Sequence, residues 1–206
     1  MHLRDQLLEK FEANIFRRPL FYSYPNGLRF ELSEGRTWIG QFLSAHRKAL
    51  EVSKDVFAGR DQFLLCLRAY VAGNAFSIRR LLRQLRTVQI PIPPDRMLWS
   101  EPADLDDDDD EASDAEIVTL AFSVPTDLIQ DVLWCALAMD LSISPRLDCA
   151  TYLVNLEDGL VMFPYDDRGM DIVGPNAEAL RELYVRHHSW LLPYELPHME
   201  ATYGAR

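Results

Sequence analysis

Apolar residues recur at helical spacing at the start of the chain. Leu3, Leu7, Leu8, Phe11 and Ile15 share one face, which predicts a helix over 2–15. Period two replaces this in LFYSY-PNG-LRFEL, residues 20–32. Two apolar and aromatic runs flank Pro25-Asn26-Gly27, and Leu28, Phe30 and Leu32 alternate with Arg29 and Glu31. A β-hairpin is predicted, because Asn and Gly tolerate positive φ. A long helix follows over about 37–57, with Ile39, Leu43, His46, Leu50 and Phe57 at offsets 0, 4, 7, 11 and 18 as its core stripe. Residues 61–71, DQFLLCLRAYV, read as a strand buried on both faces in its apolar part. A helix over 77–86 sets Ile78, Leu81, Leu82 and Leu85 against Arg79, Arg83 and Arg86.

Prolines then break the pattern, and 87–115 reads as an irregular Pro-rich and acidic insert loop. EIVTLAFSV (116–124) restores a strand, and Thr126 or Asp127 is placed to cap a helix over 127–140. Residues 147–155, 160–165 and 170–174 predict a three-stranded meander with a turn at Glu157-Asp158-Gly159. Asn176 then caps a last helix with Ala177, Leu180, Leu183, Tyr184, His187 and Leu191 on its apolar face. The order predicts a single α+β domain over 1–206: an antiparallel sheet of hairpin and meander strands, with helices packed mainly on one face.

Charge changes this picture locally. The formal net charge is −11, but residues 101–116, EPADLDDDDDEASDAE, hold ten of the 32 acids and no base. Without those ten, 22 acids face 21 bases, so the body is nearly neutral and the acidity is a patch. The three cysteines (Cys66, Cys135, Cys149) lie far apart in apolar surroundings and read as reduced core thiols. The charged amphipathic N-terminus and the short apolar runs predict a cytoplasmic protein without a membrane partner.

Candidate chemistry centres on FPYDDRGMDIVG, residues 163–174. Asp166 to Gly169 is placed to turn the chain between two strands, with Gly169 at positive φ. Alternatives are a hard-cation or acid/base site built from Asp166, Asp167, Asp171 and a histidine, which requires convergent oxygens, or a recognition loop. His187-His188 is a poor chelate, since adjacent helical residues point about 100° apart; His187 is expected in the core, as is His46, and His188 at a helix C-terminus. Cys149 beside Asp148 has no base within sequence reach. Gly-rich phosphate loops, HExxH, GxSxG and CxxC are absent from the sequence, and no cofactor is expected. Arg79, Arg80, Arg83 and Arg86 could serve a regulatory adaptor or nucleic-acid role, but beside a ten-acid run nucleic acid is not the expected partner.

PYDDRGMDIVGPNAEALRELYVRHHSWLLPYE, residues 164–195, resembles the C-terminal signature of an uncharacterised bacterial family, domain of unknown function 3885. The resemblance is carried by Tyr165, Asp166, Asp167, Arg168, Gly169, Asp171, Leu183, Tyr184, Trp190 and Tyr194, and upstream by GLRFEL (27–32). The acidic insert and Leu191-Leu192-Pro193 depart from it. The resemblance supplies no catalytic residues. Proteins of this build look like small cytoplasmic immunity proteins, so it implies a binding protein that neutralises a bacterial toxin by direct contact. The expected partner is a cognate toxin with a basic surface, met by Asp106, Asp107, Asp108, Asp109, Asp110 and Glu111 and by Asp166, Asp167 and Arg168.

Overall fold

The computed structural model describes residues 3–12, 14–72, 76–103, 115–141 and 143–204. Its frame is one antiparallel sheet. The strands are β1 (Leu28–Glu31), β2 (Gln62–Ala72), β3 (Arg96–Pro102), β4 (Ala115–Pro125), β5 (Ala150–Asn155), β6 (Leu160–Pro164) and β7 (Gly169–Val173). They lie in the order β1-β7-β6-β5-β2-β4-β3. The helices are α1 (Leu3–Lys10), α2 (Trp38–Val56), α3 (Phe76–Thr87), α4 (Ile129–Leu137), α5 (Ala177–Arg186) and α6 (Leu196–Tyr203). This is the expected α+β architecture.

Strand alternation sorts the core into two layers. Phe30, Leu65, Leu67, Leu120, Phe122, Leu153, Met162, Met170 and Ile172 join the cluster that α2, α3, α4, α5 and α6 bury. On the opposite face Leu64, Cys66, Ala121, Tyr152, Val154, Val161, Phe163 and Val173 meet Leu7, Phe11, Ile15, Leu20 and Tyr24. The helices therefore crowd one face, as predicted, while α1 and the chain after it cover the other. That double cover explains why β2 is apolar on both sides. It also buries Arg68, which donates to Thr119 Oγ1 at 3.2 Å, pairs with Glu101 and lies 4.3 Å over the Phe16 ring.

Several local expectations are corrected. Residues 20–32 are not a hairpin. Phe21–Ser23 is a 3-10 turn, because the Asp171 carboxylate accepts the Phe21 amide at 3.0 Å, and β1 pairs with β7 instead. Asn26 and Gly27 do not take positive φ; Gly27 closes a tight turn onto the Tyr24 carbonyl at 3.1 Å. The first helix ends at Lys10, although Phe11 and Ile15 are buried as predicted.

In α2, capped by the Thr37 hydroxyl, the core stripe is Phe42, Ala45, Ala49, Val52 and Val56 rather than the one through Ile39 and Leu43. The small Ala45 and Ala49 let the helix come close to the sheet, which turns the bulkier stripe outward. Within 87–115, predicted irregular, Arg96–Pro102 forms β3 along β4. Thr126 does not cap α4; its hydroxyl donates to the carbonyls of Arg60 and Asp61 at 2.9 and 3.2 Å. Ala177 is exposed, and α6 had no signal of its own.

Candidate protein-binding site

The β6–β7 turn is built by Asp166. Its Oδ1 accepts the amides of Arg168 at 2.8 Å and Gly169 at 3.1 Å, and its Oδ2 accepts Arg168 Nε at 2.9 Å. This is the local carboxylate-to-backbone bonding that favours aspartate at a turn. Gly169 is not at positive φ. Its requirement is space: a Cβ there would stand 1.9 Å from Tyr165 Oη and 3.0 Å from the Phe30 carbonyl oxygen. Asp166 and Asp167 are buried, and burial with the neighbouring Asp166 charge pushes the Asp167 carboxyl up. Of the three turn residues expected to meet a partner, only Arg168 presents its side chain to solvent, 79% exposed.

Asp171 serves elsewhere. It is 1% exposed and binds the Arg29 guanidinium through two contacts, Nε to Oδ1 at 2.7 Å and Nη2 to Oδ2 at 2.8 Å. Burial pushes this carboxyl up, and the Arg29 guanidinium and the Phe21 amide oppose that shift in part. Arg29 in turn lies 4.9, 5.2 and 5.5 Å from the ring centroids of Phe21, Tyr22 and Tyr165. Alternation set Arg29 on the face opposite Leu28, Phe30 and Leu32, and there Phe21 and Tyr22 lie against it. Asp166, Asp167 and Asp171 therefore do not converge. Among the described residues no group of three or more His, Cys, Asp or Glu side chains is arranged to hold a metal ion.

The register sets Arg29 directly opposite Asp171 and Glu31 opposite Gly169. GLRFEL and DDRG-x-D, remote in sequence, are thus one paired unit. A family model described as Domain of unknown function (DUF3885) matches residues 3–195. The chain belongs to the DUF3885 family. No curated protein and no solved structure matched it. In this DUF3885 chain the match runs far beyond 164–195 and takes in every strand of the sheet.

The remaining candidate residues are structural partners or surface. His187 is buried, hydrogen-bonds Asp55 Oδ2 through Nε2 at 2.7 Å and stacks on Trp190. His46 is half-buried, with Nε2 3.0 Å from the Gln130 carbonyl. Cys66, Cys135 and Cys149 are free and buried, their thiols pushed up to about 12 by burial, which suppresses the nucleophilic thiolate.

On α3, Arg80 pairs with Asp148, which also accepts Gln84 Nε2 at 2.7 Å and Arg146 Nε at 3.0 Å. Arg79, Arg83 and Arg86 are exposed. The partner role expected of Asp106 to Glu111 lies outside the described residues. No described helix is long and apolar enough to cross a membrane.

Sequence reasoning missed an apolar surface on α2. Trp38, Ile39 and Leu43 are 77%, 71% and 52% exposed. Beside them Phe42 meets Trp134 edge-on, with ring centroids 4.7 Å apart, across the α2–α4 seam. The signal was present: α2 carries two apolar stripes, and a sheet can bury only one.

Proposed function

We propose that this DUF3885 protein acts by binding another protein, as an immunity protein that neutralises a bacterial toxin in the cytoplasm by direct contact. The observation that carries this reading is the exposed Trp38-Ile39-Leu43 surface of α2. Large aromatic and aliphatic side chains without intramolecular cover mark an interaction surface, and such residues supply the buried anchors of interfaces. The ten-acid run adds a field suited to a basic partner. Occlusion of the toxin's active site, or of a surface the toxin needs, requires no cofactor.

The test is co-expression with the product of a flanking gene. Complex formation and relief of its toxicity are expected, both lost in Trp38→Ser/Ile39→Ser/Leu43→Ser while the melting temperature holds. A triple variant that still protects cells fully would remove α2 from the interface, and no neutralised flanking product would remove the immunity reading.

A further inference from the structure

The two edges of the sheet are finished differently. At β1 the edge is sealed by the Phe30–Leu191 bridge and by the Leu192 amide on the Arg29 carbonyl at 2.9 Å. At the other end β3 pairs with β4, and among the described residues no strand pairs with its outer side. In an antiparallel pair alternate residues of an edge strand aim both N–H and C=O outward, which is a template for another strand.

A cavity lies beside that edge. It measures about 480 Å³ and runs between α3 and the start of β3, lined by Leu82, Arg86, Ile90, Pro91, Ile92 and Arg96. Leu98 stands opposite Leu120, a member of the helix-side core, so Leu98 shares the face that the cavity occupies; it is 56% exposed. Four of these linings are apolar, Gln89 adds a polar one, and both charged linings are cations. Arg96 donates Nη1 to the Pro93 carbonyl at 3.1 Å, and no carboxylate pairs with Arg86 or Arg96 among the described residues. Asp95, which precedes Arg96, is exposed. In a chain of net charge −11, a groove whose two charged linings are both cations selects the opposite sign.

We propose that the free edge of β3 and the cavity beside α3 form a strand-addition site for an extended acidic peptide of a partner protein. The peptide main chain continues the ladder along β3. Because side chains two apart point the same way, one apolar side chain enters between Leu82, Ile90 and Ile92 while a carboxylate two residues on meets Arg86 or Arg96. Main-chain bonds then supply affinity and the groove supplies specificity. The inference rests on the protein-binding reading above only in taking the occupant to be a protein segment.

The probe is a fluorescein-labelled eight-residue peptide with threonine at every other position and valine and glutamate alternating between them, so that both share one face, against its valine–lysine counterpart, with the full chain. Anisotropy should show saturable binding of the glutamate peptide alone. Hydrogen exchange should slow at the amides of 97–101. Arg86→Glu/Arg96→Glu, at two exposed positions, should melt like wild type and bind at least tenfold more weakly. Equal binding of the lysine peptide or by the double variant, no saturation at millimolar peptide, or protection outside 97–101 would overturn the proposal. Protection of β3 that grows with protein concentration in the absence of peptide would overturn it too, assigning the edge to a second copy. A neutralised toxin with no peptide on β3 sinks this inference alone, and peptide on β3 with no toxin partner sinks the immunity reading alone.

Discussion

Gly169 carries a steric demand rather than a conformational one. Tyr165 crosses the position that a Cβ would fill, with its Oη 1.9 Å away, and the Phe30 carbonyl closes the other side at 3.0 Å. Gly169→Ala should therefore cost roughly 1–3 kcal/mol, the usual range for overpacking. Urea denaturation checks this, and the cost should shrink in a Tyr165→Leu background; an equal cost in both backgrounds would place the strain in the backbone instead. Asp167 offers a pH-dependent counterpart. Its folded carboxyl sits above its unfolded value because it is buried beside Asp166. The folded state thus holds the proton more tightly, and stability falls as pH rises above the ordinary carboxyl range. Asp167→Asn removes this loss. Its melting temperature should exceed that of wild type at pH 7, with the gap closing near pH 3; a gap that widens on acidification would reverse the sign.

At the scale of elements, the Arg29–Asp171 pair binds β1 to β7 and holds the 3-10 turn at Phe21 to both. Removing one partner of a buried pair leaves a charge without compensation, whereas replacing both with apolar groups can be nearly neutral. Asp171→Ala should cost about 3–5 kcal/mol by that account, while Arg29→Met/Asp171→Leu should cost less than the sum of its single changes. Chemical denaturation of the four proteins tests it, and strict additivity would show that the two residues act separately. The α2 helix shows the complementary lesson. Two apolar stripes were readable in its sequence, but which one faces the sheet depends on how closely the helix approaches. Ala45 and Ala49 permit close approach, so Phe42, Val52 and Val56 go inward and Ile39 and Leu43 stay out.

For the whole molecule, the acidic run is an electrostatic feature more than a stabilising one. Crowded like charges repel, and the run's remaining effect is attraction screened beyond about 8 Å at physiological salt. Changing Asp106 to Asp110 to asparagine should leave melting unchanged or slightly raised. Under the proposed function it should slow association with the toxin partner and flatten the salt dependence of that rate, with a smaller effect on dissociation. Stopped-flow kinetics at two salt concentrations decide this; equal association rates at low salt would make the run an inert insert.

Hydrophobic periodicity alone determined the α+β class, the meander of β5, β6 and β7, the long β2 and the burial of the three cysteines. Each follows from short-range patterning, which acts within one turn or one strand. Turn chemistry determined that 163–174 turns the chain, since aspartate bonds its own backbone locally. What the tertiary structure decided are the long-range choices. The 20–32 run pairs with β7 rather than with itself, because Asp171 captures the Phe21 amide from 150 residues away. The strand over 96–102 exists only because β4 offers it a partner; its alternation of exposed and half-exposed residues leaves little apolar signal. The segment after α1 also covers Arg29 and Arg68 with the rings of Phe21, Tyr22 and Phe16, a burial that no local pattern specifies, since it is set by what packs over a residue and not by the residue itself.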